Sequence, residues 1–137
     1  MSSWLTQYAL AVLAFCVLDG IWLTVVAADL YDDRLGTLLA DDPNAPAAVA
    51  FYALFVAGLV HFVIRPALAA GSWRAAVLNG GFFGLVTYAT WDLTNLAVLE
   101  GFPASLVPVD LAWGAVLAAS TSVATYAAFR RLRPAAA

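Results

Sequence analysis

Four stretches of this chain are each long and apolar enough to cross a hydrocarbon layer, at residues 4–28, 46–68, 73–99 and 107–129. A span about 30 Å thick needs roughly 20 helical residues, so each stretch suffices. In such a layer every backbone polar group must be satisfied internally, and helices of this length do so. The expected fold is therefore all-α: one membrane-embedded four-helix bundle occupying residues 1–137, with connections too short to hold a further domain. With 64% apolar and 11% charged residues, the chain lies well outside the usual range of soluble domains. The first span reads as retained rather than cleaved, because no positive charge precedes it and Asp19 lies within it.

Missing residue types narrow the chemistry. The sequence has no lysine, one histidine (His61) and one cysteine (Cys16). Schiff-base chemistry and a P-loop both need lysine, a zinc-protease motif needs two histidines, and disulfide, CxxC or haem-attachment motifs need more than one cysteine. No cofactor, metal site or nucleic-acid partner is expected; whether the chain is an enzyme is left open.

Arginines set the orientation. Arg65 and Arg74 flank the second connection, and Arg130, Arg131 and Arg133 follow the last span. By the positive-inside rule both termini are cytoplasmic. The first connection is then external, with Asp29, Asp32, Asp33, Asp41 and Asp42. Leu30, Leu35, Leu38 and Leu39 predict a short amphipathic helix at about 30–40, lying on the bilayer surface. Its acids fit no EF-hand spacing and read as a solvated loop.

The costly polar residues share faces. At 100° per residue, Gly80, Gly84, Tyr88, Trp91, Asp92 and Asn95 fall within about 120° on the third span. Asp110, Trp113, Gly114, Leu117, Thr121 and Thr125 form one stripe on the fourth, and Tyr8, Phe15, Cys16, Asp19 and Trp22 align on the first. Gly80, Gly84 and Gly114 predict close helix packing. Counting about 1.5 Å per residue puts Asp19, Asp92 and Asp110 in the external half, roughly 5, 8 and 12 Å from the centre, and His61 about 6 Å on the cytoplasmic side. A carboxylate at mid-bilayer costs roughly 2.5–3.5 kcal/mol, so these groups must meet each other, water or a ligand. Asp110 alternatively serves as the N-cap of a helix starting at Leu111.

The segments LDGIW (18–22), IRPALAAGSW (64–73), YATWDLTNLA (88–97) and VDLAWG (109–114) resemble a family of bacterial membrane proteins, domain of unknown function 2177. TWD stands here where that family is expected to carry TYD. The resemblance spans nearly the whole chain and implies a four-helix protein of the bacterial inner membrane. It brings no activity with it.

Three functions compete. In the first, Asp19, Trp22, Tyr88, Trp91, Asp92, Asn95, Asp110 and Trp113 line an externally open pocket that binds, and in one version converts, a lipid-like or cationic molecule, with Asp19 and Asp92 as an acid–base pair. In the second, Asp110, Asp92, Asp19 and His61 form a proton or cation relay, with a gap of about 11 Å before His61. In the third, Gly80 and Gly84 pack on a partner helix, in an accessory role or a homo-oligomer.

Overall fold

The computed structural model describes residues 3–133 and, among them, contains helices and no strand. Helix α1 (Ser3–Ile21) runs on through a π-turn at Trp22–Val26, and a short helix α2 (Ala28–Leu35) follows, ending at Gly36 with φ of 49°. Asn44 caps α3 (Ala45–Leu59): its Oδ1 accepts the Ala47 N–H at 3.0 Å, and Pro46 lies in the first turn, where its missing N–H costs nothing. A second π-turn at Val60–Ile64 carries α3 into α4 (Arg65–Ala69). The chain then turns at Gly71, whose φ of 62° suits glycine, and Ser72 Oγ accepts the Ala75 N–H to start α5 (Trp73–Val98).

The last helix, α6 (Val107–Leu132), starts three residues before the N-cap position considered for Asp110. Pro108 explains the difference. Its fixed φ and absent N–H favour the first helical turn, so Leu106 takes the cap position and Asp110 lies inside the helix.

Three helical segments are long and apolar enough to cross a membrane: Ser3–Val26, Ala45–Ala69 and Val107–Leu132. Helix α5 matches α6 in length, at 26 residues each, but carries Arg74, Asn79, Asp92, Asn95 and three threonines. Those threonines are locally satisfied. Thr87, Thr90 and Thr94 each donate to a carbonyl three or four residues back in their own helix, which lowers the cost of an apolar setting.

Phe15 of α1, Leu59 of α3 and Leu117 of α6 are fully buried and, with Val56, Val60 and Ile64, form the centre of the core. Helices α5 and α6 make the most extensive contact, along a seam of small residues. A Cβ placed on Gly84 would run into the Gly114 carbonyl, and one on Gly80 would lie 2.9 Å from the Ala118 oxygen. Gly114 in turn receives the Tyr88 ring. Gly80 and Gly84 thus face α6 of the same chain, rather than the partner helix that an accessory role assigns them.

The second long segment meets α5 mainly through Val60–Ile64 and α4. Further from that end, α3 and α5 are bridged by aromatic rings: Phe55 packs edge-on against Phe83 at 5.5 Å and Tyr88 at 6.4 Å. The two helices converge at the arginine-rich end and leave room between them at the other.

The seam allows a controlled comparison. A Cβ on Gly81 would make ordinary contacts at 3.8 and 3.9 Å, whereas one on Gly84 has no space. Gly84→Ala should lower thermal stability in detergent by about 1–3 kcal/mol through overpacking. Gly81→Ala should be neutral or gain up to about 1 kcal/mol from helix propensity. Equal melting temperatures for the two variants would contradict the seam.

Candidate functional site

Asp19 lies near the end of α1, just before the π-turn, and is 5% exposed. Both its oxygens are occupied. The Tyr52 hydroxyl of α3 donates to Oδ2, and the Trp113 indole N–H of α6 donates to Oδ1 at 3.3 Å. Three helices therefore close on one carboxylate without any basic residue. A buried carboxyl group needs hydrogen-bond partners, and Asp19 has one on each oxygen.

Asp110, one turn into α6, is held by a different ring. The Tyr31 hydroxyl of α2 donates to Asp110 Oδ1 at 2.6 Å and accepts from the Trp22 indole N–H at 3.2 Å. Burial, and then the bond to Asp110, push the Tyr31 phenol well above its ordinary range, so it remains a donor throughout the neutral region. Trp22 also stacks on Trp113, with ring centroids 4.3 Å apart and planes 7° from parallel. This stack joins the Asp19 and Asp110 groups into one network. Helix α2 is tied down a second time by Arg34, whose guanidinium donates to Ser105 Oγ in the connection before α6.

Asp92 is fully buried on α5, and neither oxygen has a hydrogen-bond partner among the described residues. Its carboxyl lies beside that of Asp110. Two neighbouring buried carboxylates repel unless a proton or a cation lies between them. Asn95, one turn further along α5, has its Nδ2 buried and likewise unpartnered. Among the described residues no three His, Cys, Asp or Glu side chains gather closely enough to hold a metal ion. The three aspartates do not meet as a triad: Asp92 and Asp110 are neighbours, while Asp19 has its own donors.

A cavity of about 490 Å³ opens next to Asp110. Its wall consists of Tyr31 and Leu35 from α2, Phe51 from α3, Thr87, Tyr88 and Trp91 from α5, Phe102 and Leu106 from the last connection, and Asp110. Five of the nine lining residues are aromatic, and Asp110 is the only charged one. Of the residues read from the sequence, Tyr88, Trp91 and Asp110 reach this wall. Asp19, Asp92 and Asn95 do not. Trp22 and Trp113 line a separate groove of about 460 Å³, with Pro108, Val109, Ala112 and Val116.

His61 is not brought to the carboxylates. It lies in the second π-turn with its ring edge-on to Phe62 at 4.8 Å, and it is exposed on the outer surface. Nine residues separate it from Tyr52, the Asp19 partner, a displacement of about 13 Å along the helix. Between the two levels lies the apolar layer of Phe15, Leu59 and Leu117.

The sequence reading missed Tyr31, Tyr52, Phe51 and Arg34. For Tyr31 a local signal existed: Tyr31 and Leu35 are four apart and share a helical face, and that face turns inward onto the cavity. Helix α2 is thus held against the bundle through Tyr31 and Arg34. Tyr52 had no comparable signal, since its role depends on which residue of α1 lies opposite.

Neither the curated proteins nor the solved structures contain a match to this chain. A protein family does match, over residues 4–127, and that region includes Asp19, Tyr31, Tyr52, Asp92, Asp110 and Trp113. The chain belongs to that family, described as "Predicted membrane protein (DUF2177)".

Proposed function

We propose that the chain is a membrane-embedded binding protein for an amphipathic cation, which it holds at Asp110 in the cavity between α2, α3, α5 and α6. The observation that carries this reading is the composition of the wall: one carboxylate, five aromatic rings and no basic side chain. A carboxylate supplies the counter-charge for an ammonium group, and aromatic faces add cation–π attraction of about 0.5–2 kcal/mol each when desolvated. The volume fits a small-molecule site, and the remaining wall suits a hydrocarbon portion.

The topology that accompanies this reading has four spans. Helix α5 crosses beside α6, with Asp92 buried and its three threonines bonded to its own backbone. Arg65, Arg74, Arg130, Arg131 and Arg133 lie at one end of the bundle, and the acids of the first connection lie at the other. That distribution supports a reading with both termini in the cytoplasm of a bacterial inner-membrane protein and the cavity towards the exterior.

Binding is favoured over translocation and over conversion. The buried apolar cluster that holds Phe15, Leu59 and Leu117, and the exposure of His61 on the outer surface, support binding over a relay. Acid–base conversion needs a second ionisable carboxyl at the cavity, and Asp92 is enclosed behind Asp110.

Protein purified in mild detergent should bind one equivalent of dodecylammonium, detected by intact-complex mass spectrometry. Protein that takes up none would refute the reading. Asp110→Asn should weaken this binding about thirtyfold or more, as expected when one partner of a buried charge pair is lost. Asp19→Asn should leave the affinity within about threefold and instead lower thermal stability by about 1–3 kcal/mol, because Asp19 is already fully hydrogen-bonded outside the cavity. The opposite ranking of the two variants would move the cation site to Asp19.

A further inference from the structure

The acidic end of the molecule has one basic side chain, Arg34, next in sequence to Leu35 of the cavity wall and bonded to Ser105, the neighbour of Leu106 in that wall. Three aspartates share its connection within five residues, yet Arg34 makes no ion pair among the described residues. Its guanidinium instead donates to Ser105 Oγ, across the start of α6. One helical turn earlier on α2, Tyr31 donates to Asp110. Arg34 thus lies about one turn of α2 from Tyr31, the residue that donates to the cavity carboxylate. Arg34 has further N–H donors beyond the one given to Ser105, in the planar fork that suits a phosphate.

The opposite wall suits hydrocarbon chains. Helices α3 and α5 converge only near Val60–Ile64 and α4, so the cavity faces the gap between them. Phe51 and Trp91 line the cavity from either side of that gap and are 46% and 64% exposed, with Leu54 outside it at 75%. In a bilayer these exposed apolar side chains face lipid.

We propose that the occupant is a zwitterionic aminophospholipid. Its ammonium lies on Asp110, its phosphate on Arg34, and its acyl chains leave between α3 and α5 into the bilayer. The proposal rests on the reading of Asp110 as a cation subsite and adds a second, anionic recognition element to it. A simple alkylammonium satisfies Asp110 alone, and a simple alkyl phosphate satisfies Arg34 alone. The zwitterion satisfies both, and only it avoids leaving one charge unmatched.

The test compares three single-chain probes by mass-spectrometric titration of the intact protein: lysophosphatidylethanolamine, dodecylammonium and dodecyl phosphate. The wild type should bind the zwitterion at least about tenfold more tightly than either other probe, the usual gain from one charge-assisted contact. Arg34→Gln should abolish the preference over dodecylammonium while leaving dodecylammonium affinity in place, which also shows that the variant is folded. Asp110→Asn should weaken both ammonium-bearing probes. Equal wild-type affinity for the zwitterion and dodecylammonium, or a preference that survives Arg34→Gln, overturns the phosphate subsite and leaves the cation site standing. Dodecyl phosphate binding as tightly as the zwitterion also overturns the proposal. Failure of the wild type to bind dodecylammonium at all removes the cation subsite, and both readings fall with it.

Discussion

A carboxylate in an apolar bundle has to be met by a donor, and at the depth of Asp19 and Asp110 this chain has no basic residue to offer. It uses aromatic rings instead. Tyr52 and Trp113 meet Asp19, and Tyr31, supported by Trp22, meets Asp110. Phenols and indoles suit this position because each combines a large apolar surface with a single donor. Their bodies fill the bundle while their tips serve the carboxylates. The cost of burying the carboxyl groups is thereby linked to helix arrangement, since the donors come from the π-turn after α1 and from α2, α3 and α6.

The glycine seam sets the other half of the geometry. Gly84 against Gly114 brings α5 and α6 close enough for the Tyr88 ring to lie over the Gly114 backbone. The same approach places Asp92 beside Asp110, behind the cavity wall. Larger residues at these positions would separate the helices and open the enclosure around Asp92. The small residues thus serve to position charge as well as to pack helices. On the far side of α5, aromatic rings rather than glycines bridge to α3, so the bundle is tight on one side and open on the other.

Much of this was legible from residue order alone. The helical segments Ala45–Ala69, Trp73–Val98 and Val107–Leu132 begin and end within three residues of the limits expected at 46–68, 73–99 and 107–129, because the length of an apolar run is a local signal. The inward face of α5 was legible for the same reason: a 100° period needs no knowledge of the neighbours. The partners of the aspartates were not legible. Tyr52 is 33 residues from Asp19 and Tyr31 is 79 from Asp110, so these bonds depend on helix register and on the path of α2. Depth counting placed three carboxylates in one half of the membrane, but depth says nothing about rotation around the bundle axis. Rotation is what separates Asp19, which faces Tyr52 and Trp113, from Asp110, which faces the cavity.

The three aspartates differ most usefully in how much of their accepting capacity is already used. Asp19 has a donor on each oxygen and little left to offer. Asp92 has none but is sealed, with no surface through which a solute reaches it. Asp110 is intermediate: Tyr31 takes one oxygen, and the residue still forms part of an open wall. A binding carboxylate needs both unmet accepting capacity and access, and only Asp110 combines them. On the proposed reading, Asp92 is the neighbouring acid behind that site. A ligand that brings its own negative charge then meets, on the same reading, Arg34 as well, which is bonded to a neutral hydroxyl and to none of the aspartates around it.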